Sequence, residues 1–155
     1  MKLETALASE EQLFRDIHPK SLALANSAKD ALLSGVPMPW MTRWPGSFPL
    51  HVQRAHGARF IDVDDIEYVD FCLGDTGAMT GHALEAVSAA VARQAQLGLT
   101  TMLPTSDAQW VAENLAQRFG VPKWQFSISA TDANRFVLRF ARMLTGRPKV
   151  VVHDW

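Results

Sequence analysis

The sequence predicts an α/β protein in which N-terminal helices and a small β-meander precede the start of a larger α/β domain. Residues 1–33 show the helical spacing of apolar residues, and residues 50–72 contain three short, partly alternating segments separated by turn residues. Residues 124–155 have the pattern of strand, helix and strand, which is typical of a parallel sheet. Because two such strands cannot bury both faces of a sheet, we expect the α/β domain to be incomplete in this sequence.

The first part of the chain favours helices and then an extended segment. Pro19 is expected to separate two helices within residues 1–33, because proline interrupts the hydrogen bonds of a helix interior. Residues 34–49 contain four prolines and two glycines, which favours an extended path. Trp40 and Trp44 lie in this path, where they are expected to pack, with the lining of a substrate pocket as the alternative.

Turn residues and glycines define the elements that follow. His56-Gly57 and Asp64-Asp65 are expected to form the turns of the meander, and the small residues of 74–81 allow close approach of a ligand or partner. Glycines are expected to end each of the three later helices. The predicted strands are 50–55, 59–62, 68–72, 124–128 and 148–155, and the predicted helices after the meander are 82–97, 106–119 and 131–144.

We expect three parts in the chain. These are an N-terminal helical segment over 1–33, an extended segment and β-meander over 34–81, and the truncated beginning of the large domain over 82–155.

Composition excludes several classes of protein. The net charge of −1 gives no basic field for a nucleic-acid backbone, and a single cysteine allows neither an intrachain disulfide nor a cysteine-based zinc cluster. No apolar run approaches the ~18 residues of a membrane span, and the N-terminus lacks the apolar core of a signal peptide. A cytoplasmic protein is therefore expected. Cys72 itself, placed in a predicted strand, is expected to be a small buried apolar residue.

No metal site is predicted. The histidines show no spacing typical of metal ligands, and His82 is expected to cap or pack at the start of a helix. The acidic residues of the meander lack the glycine and terminal glutamate of a calcium-binding loop, so a solvated hairpin face is expected. These acidic residues are Asp62, Asp64, Asp65, Glu67 and Asp70.

The chemistry of the chain is expected at residues 129–133, where the letters SATDA stand between a predicted strand and a predicted helix. The first amides of a helix have no intrahelical acceptor, and the helix dipole places partial positive charge there, so such a turn is an anion site. Thr131 adds a hydroxyl donor. The alternative, which the local pattern favours, is that Ser129 or Thr131 is only the N-cap of the helix.

Four motifs occur in order with compatible spacing. They are GARFIDVDDIEYVDF at 57–71, Gly81-His82, Pro104-Thr105 and SATDA at 129–133. From about Gly35 onward, the chain resembles the N-terminal part of class III (fold type I) pyridoxal-phosphate aminotransferases, most closely the glutamate-1-semialdehyde 2,1-aminomutase branch.

The resemblance implies that pyridoxal 5'-phosphate is the cofactor and that Ser129, Ala130 and Thr131 hold its phosphate. Ala130 replaces the glycine of the family motif, and its Cβ is compatible with the loop only if its φ is negative. The resemblance also places Asp75 and, more weakly, Trp40 near the substrate. The Schiff-base lysine of the family lies downstream, so no catalytic residue is assigned in this chain, which is not expected to transaminate as it stands.

For the intact protein, the resemblance implies a homodimeric enzyme that transfers an amino group between amino and carbonyl compounds. In the aminomutase branch the two groups are exchanged within one substrate. The alternative from another class is a non-catalytic module that acts in dimerisation or protein interaction. The codons after Trp155 discriminate the two, because a continued reading frame supports an enzyme fragment and a stop codon supports the module.

Overall fold

Two helices open the computed structural model, which describes residues 3–153. Helix α1 spans Leu3–Ile17 and helix α2 spans Pro19–Ala28. Pro19 is the first residue of α2, where its fixed φ suits the helix and its missing N–H is not needed. The predicted break between the two helices at Pro19 is confirmed.

The proline-rich stretch after α2 is not wholly extended. It contains two short 3-10 helices, Leu33–Gly35 and Pro39–Arg43. Phe48, near its end, is buried and lies against Phe14 of α1, with ring centroids 4.8 Å apart. This contact anchors the end of the stretch to the first helix.

A three-stranded antiparallel sheet follows, in the order β1-β2-β3. The strands are β1 at Val52–His56, β2 at Arg59–Asp62 and β3 at Glu67–Val69. Phe60 of β2 lies opposite Tyr68 of β3, and their rings stack at 4.9 Å. The predicted meander is therefore confirmed, with ends shifted by up to three residues.

The prediction for Cys72 is wrong. β3 ends at Val69, and Cys72 is exposed in the turn that follows. The strand stops early because the Asp70 carboxylate accepts the backbone N–H groups of Cys72 and Leu73, which turns the chain away from the ladder.

Three further helices complete the described residues. They are α3 at Glu85–Leu97, α4 at Ser106–Phe119 and α5 at Ala130–Thr145. Each is followed by a glycine with positive φ, as predicted, and at α4 and α5 the N–H of that glycine donates to a carbonyl of the last turn.

The chain forms two compact units, the first up to Leu99 and the second from Thr100. α3 belongs to the first unit, and α4 and α5 to the second. Among residues 3–153, no helix combines the length and the apolar character needed to cross a membrane. The three parts predicted from the sequence, with boundaries after residues 33 and 81, stay a prediction.

The strands predicted at 124–128 and 148–155 are wrong for the residues that the structure describes. Neither stretch is hydrogen-bonded into a sheet, and the meander is the only sheet found between residues 3 and 153. Ile128 and Val151 are 102% and 98% exposed. β-Branched residues favour an extended backbone, but a strand requires a neighbouring strand for its ladder. Asp154 and Trp155, at the end of the second prediction, lie outside the described residues.

Candidate functional site

The start of α5 is built around Ser129, which is the N-cap of this helix. Its Oγ accepts the backbone N–H of Asp132 at 3.2 Å and donates to the Asp132 carboxylate at 3.1 Å. The N-cap interpretation is therefore confirmed for Ser129. Arg135 approaches the other oxygen of Asp132 at 3.6 Å, which partly offsets a negative charge at the helix terminus.

Two amides of the first turn of α5 have no acceptor within the helix. Asp132 N–H is taken by the cap and Ala133 N–H by the Ser129 carbonyl, which leaves Ala130 and Thr131 without intrahelical acceptors. Ala130 is the first helical residue and is not among the residues with positive φ. An alanine at this position requires a negative φ, and this condition is met, because a Cβ causes no steric strain in a helical conformation. Ser129, Ala130 and Thr131 are all exposed, and their assignment as phosphate ligands stays a prediction.

The two candidate substrate residues lie in the first unit, whereas Ser129–Thr131 lie in the second. Trp40 lies in the second 3-10 helix and is 49% exposed. Its indole N–H donates to the sulfur of Met38. The Trp40 and Trp44 rings are packed edge to face, with their centroids 6.3 Å apart. Asp75 is exposed in the loop between β3 and α3. The two indoles contact each other, yet each is about half exposed, so packing and the lining of a substrate pocket both stay predictions.

The prediction of a solvated acidic hairpin is wrong for Asp62, which is fully buried. Its carboxylate accepts the backbone N–H groups of Asp64 and Ile66 at 2.9 Å and the Tyr68 hydroxyl at 3.1 Å. His18, also buried, places Nε2 at 2.6 Å from the same hydroxyl. A buried carboxylate needs this number of donors, because its desolvation is otherwise too costly.

Asp64, in the turn after Asp62, provides the N-terminal cap that α2 lacks locally. Its carboxylate accepts the backbone N–H groups of Lys20 and Ser21 at 2.7 and 2.9 Å. Burial opposes its ionisation, yet these N–H donors hold the pKa of Asp64 below its ordinary value. The meander and the N-terminal helices are thus joined by two acidic residues rather than by apolar contacts alone.

Of the five acidic residues of the meander, only Asp65 and Glu67 are exposed as predicted, where they pair with Lys20 and Arg59.

Tyr68 allows a direct test of this buried cluster, because it is the one tyrosine in the sequence. Burial, followed by the charge of Asp62, raises the pKa of Tyr68 from 10.0 to about 12. The folded chain therefore holds the phenol proton more tightly than the unfolded chain. This contribution to stability is fully present below pH 10.0 and is lost as the pH rises through about 12.

We expect ultraviolet titration of the phenolate to have its midpoint near pH 12 in the folded chain and near pH 10.0 in urea. The free energy of unfolding should fall over the same pH interval. Equal midpoints in folded and unfolded chains would contradict the burial of this hydroxyl against Asp62.

The prediction that His82 caps a helix is wrong. α3 begins at Glu85, so His82 is not its cap, and its ring instead contacts the Asp70 carboxylate at 2.6 Å. No spacing or motif in the sequence predicted that His82 would contact Asp70, which lies 12 positions earlier. Within residues 3–153, no group of three or more metal-ligating side chains is found.

Comparison with known proteins defines the class. Residues 40–154 match the sequence model of the family Aminotransferase class-III. The chain belongs to the class-III aminotransferase family, as the four motifs predict. Its relatives include the glutamate-1-semialdehyde 2,1-aminomutase of Methanocaldococcus jannaschii, which is 34% identical over 136 residues that make up 87% of this chain and 32% of the relative.

Solved structures confirm the predicted fold class. A glutamate-1-semialdehyde-aminomutase from Pseudomonas aeruginosa PAO1 is 53% identical with a TM-score of 0.87, covering 93% of this chain and 32% of that chain. A variant of that enzyme was solved in complex with PMP. A β-phenylalanine aminotransferase from Variovorax paradoxus is 26% identical with a TM-score of 0.87, covering 94% of this chain and 34% of that chain. The chain thus spans about a third of the length of the proteins it matches.

Proposed function

We propose that this chain supplies the phosphate end of the pyridoxal 5'-phosphate site of a class III aminotransferase or glutamate-1-semialdehyde aminomutase-like enzyme. The observation that carries the proposal is the start of α5, where the amides of Ala130 and Thr131 have no intrahelical acceptor and Ala130 is helical. A solved relative bound to PMP and a solved transaminase bound to PLP support the choice of cofactor.

Each residue of the turn has a distinct role in this proposal. The amides of Ser129, Ala130 and Thr131 and the Thr131 hydroxyl donate to the phosphate, in the field of a 16-residue helix. Ser129 holds the first turn in place through its bonds to Asp132. When bound, the cofactor supplies an electron sink that allows an amino group to be exchanged between amino and carbonyl compounds.

The remaining roles extend to the whole protein. Asp75 and, more weakly, Trp40 are proposed to face the substrate. None of the five lysines in this sequence matches the Schiff-base position of the family. We therefore propose that residues 1–155 by themselves do not transaminate. We further propose that the whole protein is a cytoplasmic homodimer. The match to the family over residues 40–154 does not favour a non-catalytic module.

The proposal predicts that the full-length protein encoded by the reading frame binds pyridoxal 5'-phosphate. We expect the purified protein to be yellow, or to become yellow on titration with the cofactor, and to lose this absorbance when the downstream lysine is substituted. The matched control is Lys149→Gln, which lies in this chain and should leave the absorbance unchanged. A colourless full-length protein whose spectrum ignores added cofactor would contradict the proposal.

A further inference from the structure

Loop 71–81 leaves the meander and returns to it, so that its two ends lie side by side. His82 and Gly57 exchange two backbone hydrogen bonds of 2.8 and 2.9 Å. Asp70 N–H donates to the carbonyl of Ala58 at 2.9 Å. Both ends of the loop are therefore attached to the turn between β1 and β2.

A side-chain contact joins the same two ends. His82 Nε2 lies 2.6 Å from Asp70 Oδ2 and donates to it, since an ionised carboxylate only accepts hydrogen bonds. The second oxygen, Oδ1, accepts the N–H groups of Cys72 and Leu73, each at 2.9 Å. These donors, His82 foremost, lower the pKa of Asp70 and keep its carboxylate charged. We call the Asp70–His82 pair the clasp.

Between these ends the backbone is strained. The four consecutive residues from Leu73 to Thr76 have φ values of 53, 58, 52 and 79°, which form a left-handed turn. Only Gly74 adopts this conformation without steric cost, and L residues avoid it in succession. The N–H of Ala78 donates to the Leu73 carbonyl at 2.8 Å across the turn. Such a conformation persists only where its surroundings impose it.

We propose that Asp70 and His82 are positioning residues, which hold the left-handed turn and thereby set where the Asp75 carboxylate stands. Asp75 lies at the third position of the turn, so release of the clasp changes the direction of its side chain. The inference rests on the proposed function, in which Asp75 faces the substrate. Neither residue of the clasp is assigned a contact with cofactor or substrate.

The first test uses the full-length protein and amide hydrogen exchange. In Asp70→Asn and His82→Phe, we expect the Ala78 amide to exchange at least tenfold faster, with the amides of α4 unchanged. Asp70→Asn keeps the shape of the side chain, which guards against a fold defect. The control Arg59→Gln removes an exposed ion pair of the same meander and should change nothing. An unchanged exchange rate of the Ala78 amide in both variants would show that the clasp does not hold the left-handed turn.

The second test uses the full-length protein with two probes, glutamate 1-semialdehyde alone and β-phenylalanine together with a 2-oxo acid as the amino acceptor. For the probe that wild type turns over, His82→Phe should raise KM about tenfold, with kcat within twofold and the cofactor absorbance unchanged. An unchanged KM, or loss of the cofactor, would overturn the positioning role. A wild-type protein that binds no cofactor or turns over neither probe would count against the proposed function, while the exchange measurement still decides the clasp.

Discussion

Asp62→Ala is expected to lower the free energy of unfolding of the chain by about 3–5 kcal/mol. The carboxylate is fully buried and is the shared acceptor for two backbone N–H groups and the Tyr68 hydroxyl. Alanine removes the acceptor of both backbone N–H groups, leaves the Tyr68 hydroxyl with His18 as its remaining partner, and creates a cavity beside His18. The loss should be seen as a lower urea midpoint in denaturation followed by circular dichroism.

The control for this substitution is Glu67→Gln, at an acidic residue of the same hairpin. Glu67 is exposed, and its ion pair with Arg59 lies in solvent, so we expect a change below about 1 kcal/mol. If Asp62→Ala changes stability no more than Glu67→Gln, the buried cluster does not hold the first unit together. Tyr68→Phe should lie between the two, because it removes only one donor.

Thr131→Ala is expected to weaken binding of pyridoxal 5'-phosphate by the full-length protein by about 1–3 kcal/mol, a five- to 150-fold rise in Kd. A hydroxyl that donates to a phosphate forms a charge-assisted hydrogen bond. Alanine removes this bond without disturbing the N-cap of α5, which Ser129 provides. Equilibrium titration of the cofactor-free protein measures the effect.

Thr145→Ala is the matched control, since it removes a hydroxyl at the other end of α5, where Thr145 donates to the Ala141 carbonyl. Its cofactor affinity should equal that of wild type. Equal affinity for wild type and Thr131→Ala would mean that Thr131 serves only the first turn of the helix.

Local patterns were sufficient for much of the fold. Proline at the start of α2, glycine after α4 and α5, and alternation in the meander depend on the backbone preferences of neighbouring residues. The same holds for Ser129 as a cap, because its partner Asp132 is three positions away. The motifs that identify the family are likewise contiguous, so the family and the candidate phosphate turn could be predicted from the sequence.

The buried acids and the left-handed turn required the tertiary structure. Asp62 looks like any turn acid until Tyr68 and His18 surround it, and the latter two lie 50 positions apart in the chain. Asp64 caps a helix that begins more than 40 positions earlier. The strands predicted at 124–128 and 148–155 fail for a related reason, since a ladder depends on which other segment lies beside it. Periodicity and turn residues act within a few positions, whereas burial and pairing are set by neighbours that only folding brings together.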